Sequence, residues 1–91
     1  MKNQNPTKVL VLGMKLDRWV VDSCVADIGV GNDWATVYSI ISAEQGKGHA
    51  HKLLTMARKY YENKGKVFGS SVALNSRMEG ILKELNITNY T

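Results

Sequence analysis

A chain of 91 residues holds one compact domain and is too short for two, because a core of this size already buries only a modest share of the unfolded surface. Hydrophobic residues make up 44% and charged residues 22%, with a single proline, which excludes a disordered or low-complexity chain. Twelve Lys and Arg against eight Asp and Glu leave a formal charge of +4, which favours anionic partners, but the cations are scattered rather than gathered in a basic block.

Cys24 is the only cysteine, which excludes an intramolecular disulfide and a cysteine-rich zinc site and points to a reducing compartment. No run approaches the roughly 20 apolar residues that span a bilayer, and Met1 to Lys8 lacks the apolar segment of a signal peptide. The expectation is a cytoplasmic protein with no membrane partner, its residues 1–91 forming one domain.

After a polar lead-in ending at Pro6 and Thr7, the branched apolar run Lys8 to Leu12 predicts a strand. Gly13 to Arg18 is read as a turn, with Met14 and Leu16 able to prolong the strand. Trp19 to Ile28 reads as one second strand, with Trp19, Val21, Ser23 and Val25 on one face and Val20, Asp22, Cys24, Ala26 and Ile28 on the other. Neither face is cleanly polar, so both are expected to be covered. Gly29 to Asp33 is rich in residues that tolerate positive φ and links this strand by a hairpin to Trp34 to Ser42.

From Ala50 the period changes to that of a helix, with Leu53, Leu54, Ala57, Tyr60 and Tyr61 on the apolar side and Gly65 as the left-handed stop. Lys66 to Leu74 predicts a returning strand with a bulge near Gly69 to Ser71. Asn75 or Ser76 caps a second helix, Glu79 standing at capping-box distance and Met78, Ile81, Leu82 and Leu85 forming its apolar face. Ile87 to Tyr90 adds a short final strand. The expected fold class is α/β in the α+β sense: order β-β-β-α-β-α with a terminal strand, a mostly antiparallel mixed sheet and one β-α-β crossover.

The segment from Ser39 to Ala50 carries the chemistry, since a strand there passes through a short glycine-containing turn straight into a helix. Amides of a first helical turn have no intrahelical partners, and the dipole makes that end partly positive, so a phosphate gains several hydrogen bonds. Gly46 and Gly48 let the phosphate approach with no Cβ in the way, and Lys47, His49 and Lys52 stand around the same turn. The spacing fits neither a nucleoside-triphosphate loop nor a dinucleotide fingerprint.

Gln45-Gly46-Lys47-Gly48-His49-Ala50 resembles the signature of the GCN5-related N-acetyltransferase (GNAT) superfamily: Arg or Gln, two residues, Gly, one residue, then Gly or Ala. With the strand ending at Ile41, Leu53-Leu54 in the helix and Asn75 opening the next, the resemblance covers residues 19 to 87. It implies an acetyltransferase that uses acetyl-CoA as cosubstrate on a primary amine, a protein lysine among the candidates. It further implies that the main chain of Ile40 and Ile41 pairs with the pantetheine arm, that amides from Gln45 to Ala50 hold the pyrophosphate, and that Asn75 approaches the arm.

Three features depart from that pattern. Leu82 stands where the family carries a tyrosine general acid, and Asn86 and Ile87 replace a Gly-Phe pair. The family also begins with a strand and two helices that cover one sheet face, so here another subunit or a target protein is expected to cover it. The residues by themselves assign no catalytic acid or base: Tyr38, Tyr90, Asp22, Asp27 and Glu44 are all chemically able. Cys24 has no histidine at informative spacing, and His49 and His51 form no metal pair. A GNAT-like protein that binds coenzyme A or a partner without catalysis stays open, and nucleic-acid binding ranks below both because cations and aromatics do not interleave.

Overall fold

A computed structural model describes residues 6–44 and 46–90. Six strands and two helices follow in the order β1 (Thr7–Val11), β2 (Met14–Val21), β3 (Cys24–Val30), β4 (Trp34–Ser42), α1 (His49–Glu62), β5 (Val67–Ser70), α2 (Ser76–Glu84) and β6 (Thr88–Asn89). They form one mixed α+β unit with strand order β1-β2-β3-β4-β5-β6, antiparallel through β4 and parallel from β4 to β6.

Two tight hairpins correct the expected strand count from three before the first helix to four. Leu12 and Gly13 both take positive φ, 49° and 80°, so a two-residue turn pairs Val11 with Met14, and residues 14–18 belong to a strand. A second two-residue turn at Asp22 and Ser23, with Asp22 at φ 54°, pairs Val21 with Cys24 and splits the expected strand Trp19 to Ile28. A loop of two residues reverses the parity of the side chains. Trp19 and Val21 therefore share one buried face with Cys24, Ala26 and Ile28, which a single strand would have put on opposite faces.

The hairpin between β3 and β4 is shorter than expected, because β3 continues through Val30. Gly29 and Gly31 serve it by lacking a Cβ rather than by positive φ: a Cβ there would overlap the rings of Tyr38 and Trp34. The bulge expected near Gly69 lies instead between β3 and β4. Asp27 pairs with Ser39 and Ile28 with Val37, leaving Tyr38 as the extra residue.

Helix α1 packs across the sheet through Leu53, Leu54, Ala57 and Tyr61, where burying each leucine contributes about 2 kcal/mol. Gly65, at φ 80°, ends it as expected. Asn75 is the cap of α2, its Oδ1 accepting from the Met78 amide at 2.8 Å. Glu79 then sits one residue too far along for a capping box. Strand β5 is four residues long, and the Asn89 side chain ties its end to Ser70 and Val72.

Successive parallel crossovers that step the same way across a sheet put their helices on one face. Leu82 and Leu85 duly join the same core cluster as Trp19, Leu53 and Leu54, and Arg58 of α1 donates to the Leu85 carbonyl at the end of α2. Among the described residues no helix lies on the other face. None is long and apolar enough to cross a membrane.

Candidate functional site

The β4–β5 ladder ends where Val37 pairs with Ser70, yet β4 runs on to Ser42 with no strand among the described residues beside it on that edge. Which main-chain groups face this open edge follows from one bond. The Ala43 amide donates to the Ser23 carbonyl at 3.0 Å, so Ala43, Ile41 and Ser39 point toward β3, and Ile40 and Ser42 point outward. On this edge the ladder-forming groups belong to Ile40 and Ser42. The main chain of Ile41 is occupied with Val25, whose side of the sheet its side chain shares, so Ile41 borders the cleft without offering it a free backbone group.

At the end of β4 the chain turns into α1 through Gly46 and Gly48, at φ 82° and 78°. Positive φ, rather than crowding, is what demands these two glycines: a Cβ on Gly48 would meet nothing within 4 Å. Gly48 is the helix cap and supplies no side-chain acceptor, and the first turn has no acidic residue. The first intrahelical bond runs from the Lys52 amide to the Gly48 carbonyl. The amides of His49, Ala50 and His51 thus form an uncapped, partly positive end.

The loop is stitched to the β2–β3 turn beneath it. Ser23 Oγ accepts from the Glu44 amide at 3.2 Å and lies 2.7 Å from His49 Nδ1, while Ser42 Oγ donates to the Glu44 carbonyl. His49 Nε2 is 3.9 Å from Asp22. Lys52 reaches Asp22 at 3.4 Å, which takes it to the hairpin turn and away from the cleft.

Between β4, α1 and α2 lies a cleft of about 570 Å³, within the usual range for ligand sites. Of the residues expected from sequence, Ile40, Ile41, Gly46, Gly48, His49, Ala50 and Asn75 line it together. Lys47 is exposed on the loop outside that lining, and Gln45 lies outside the described residues. The cap bond uses one lone pair of the Asn75 amide and leaves both its Nδ2 hydrogens for other partners.

Arg77 is the residue that sequence reading missed. It stands in the first turn of α2 and brings a guanidinium nitrogen within 3.7 Å of where a Cβ of Gly46 would be. A cation in a helix's first turn opposes the macrodipole, and that misplacement is the signal that could have found it. Glu44 and Glu84 also border the cleft, the latter 3.5 Å from His51, and Arg77 supplies the lining's guanidinium beside the loop that starts α1.

Leu82 is buried in the core rather than facing the cleft, whose lining includes no tyrosine. Cys24 is fully buried, and burial pushes its thiol pKa up, away from nucleophilic use. No protein-family model matches the chain, nor does any curated protein or solved structure.

Proposed function

We propose that the protein binds an acyl-coenzyme A, with acetyl-CoA as the cosubstrate, and transfers the acyl group to a primary amine. The observation that carries this reading is the open edge of β4 leading directly into an uncapped helix start across two left-handed glycines. In this reading the pyrophosphate accepts hydrogen bonds from the first amides of α1 and a charge-assisted bond from Arg77. The amide groups of the pantetheine arm extend the sheet along Ile40 and Ser42. The thioester then lies toward the bulge at Tyr38, about 13 Å from Ser42 at 3.3 Å per residue.

The transfer needs a neutral amine, so the incoming ammonium first gives a proton to water or a carboxylate. Its lone pair forms the N–C bond, the C–S bond breaks, the nitrogen gives up its second proton to water, and the departing thiolate takes a proton from solvent. Proton transfer to a departing group contributes about 10²- to 10⁴-fold, which positioning of the amine against the thioester can exceed. Core-facing Leu82 leaves the thiolate without a side-chain acid from that position and favours a second reading, a protein that holds coenzyme A without turnover.

Calorimetric titration with acetyl-CoA, run with thiol release in the presence of an amine panel, separates the two readings. Binding with amine-dependent release is expected. Binding alone would leave the second reading, and no binding would overturn both. Gly48→Glu should abolish affinity by filling and charging the loop, but any side chain at φ 78° adds strain of about 1 kcal/mol. Arg77→Glu, on an exposed helical position, is the companion variant. A tenfold or greater loss of affinity is expected for it, and unchanged affinity in both folded variants would sink the site assignment.

A further inference from the structure

The sheet face turned away from the helices is apolar, partly paved with fixed aromatic rings, and electrically neutral. Because Trp19, Val21, Ala26 and Val37 are buried under the helices, strand alternation turns Val20, Val25, Trp34 and Val67 to the opposite side. Large apolar groups stay exposed there: Val20 at 54%, Val67 at 65%, Trp34 and Tyr38 at 41%, and Tyr90 at 60%.

Three of these are rings seated on glycines of the same face. Tyr38 lies over Gly29, Trp34 over Gly31 and Tyr90 over Gly69, each so close that a Cβ on the glycine would overlap the ring. Rings already fixed in the free protein lose little freedom on association, and Tyr and Trp dominate the energetics of protein interfaces.

Among the described residues, the only side chains charged at neutral pH that the strands present on this face are Arg18 and Asp27. They neutralise one another through a bidentate pair at 2.7 and 2.9 Å. With no unmatched cation for phosphates, the face does not suit nucleic acid. Nor does it carry the unmatched charge that would select an oppositely charged protein. A neutral apolar face on a chain of net charge +4 lets two copies meet without the repulsion that the net charge otherwise imposes.

We propose that this face packs against the same face of a second copy about a twofold axis. The six strands, of 5, 8, 7, 9, 4 and 2 residues at about 3.3 Å each and spaced about 4.8 Å, offer on the order of 550 Å² in projection. Side-chain relief raises that toward the roughly 800 Å² per partner of a standard stable interface. An isologous contact of this kind buries Trp34, Tyr38 and Tyr90 of both copies and leaves the two clefts, on the helix side of β4, open.

Sedimentation velocity of the full chain at micromolar concentration, without any cofactor, tests this independently of the acyltransfer reading. A dimer is expected. Val20→Glu and Val67→Glu each place a carboxylate in the interface twice by symmetry and should weaken association at least about tenfold. Circular dichroism should show both variants folded, since both positions are exposed, and Lys83→Glu on the outside of α2 should leave association unchanged. A monomer at all concentrations would overturn the proposal, as would a dimer that both charge variants leave intact.

Discussion

Tyr61 shows how one side chain ties the helix layer to the sheet. Its hydroxyl accepts from Trp19 Nε1 at 3.1 Å and donates to Asp17 Oδ2 at 2.6 Å, and Lys8 completes the chain with a 2.7 Å bond to Asp17 Oδ1. Burial first, and then the bond to Asp17, pushes the Tyr61 pKa up, while the bond to Asp17 raises that of Lys8. The folded protein therefore keeps the Tyr61 proton above pH 10, where the unfolded chain releases it, so stability is full below about pH 10 and falls as pH rises beyond it. Urea unfolding between pH 8 and pH 11 should show a decline approaching about 1.4 kcal/mol per pH unit from this residue. In Tyr61→Phe the decline should be visibly shallower, with Lys8 supplying the remainder. At neutral pH that variant should lose about 1–3 kcal/mol, because Asp17 is left buried with one donor fewer. An identical decline in wild type and variant would refute the assignment.

Among the elements, the two-residue hairpins do most to decide which residues meet. The Asp22-Ser23 turn merges two expected faces into one and also places Ser23 beneath the loop that starts α1. The Tyr38 bulge resets parity once more, so that Ile40 and Ser42, not Ser39 and Ile41, face the open edge of β4. The Leu12-Gly13 turn carries a cost of its own, because Leu12 is 95% exposed at φ 49° and gains no packing for its left-handed backbone. Asn accepts that conformation readily, and Asn-Gly is the favoured pair for such a turn. Leu12→Asn should stabilise the protein by about 1 kcal/mol, a rise of about 4–8 °C in melting temperature for a domain of this size. A lower melting temperature would mean that the leucine makes a contribution that its exposure does not suggest.

At the scale of the molecule, a single cluster between the helices and one sheet face supplies the core. Strands β3 and β4 are paired on both sides and lie beneath α1, whereas β1 is an edge strand bonded only to β2. Hydrogen exchange should follow this layout: amides of β3 and the first half of β4 exchange at the rate of global unfolding, those of β1 well before. The amides of Ile40 and Ser42 should exchange early in the free protein and become protected when acetyl-CoA is added. Early exchange throughout β3 would contradict the layered core.

Much of this was legible from the residues themselves. Strand β4 and helix α1 stand where period and glycine punctuation put them, because a long periodic run and a left-handed stop are local properties that need no tertiary information. The strand-to-helix junction at Gly46 and Gly48 was legible for the same reason, and most of the residues expected around it do converge on one cleft. What sequence reading missed were features set by pairing: the split at Asp22, the bulge at Tyr38, and Arg77 arriving from α2. A two-residue turn built on Asp and Ser leaves the apolar pattern on either side nearly unbroken, and only the pairing of β2 with β3 reveals it. An uncovered sheet face was expected from the resemblance, but which residues it exposes was a tertiary decision, since that depends on the turns and on both crossovers carrying their helices to the same side.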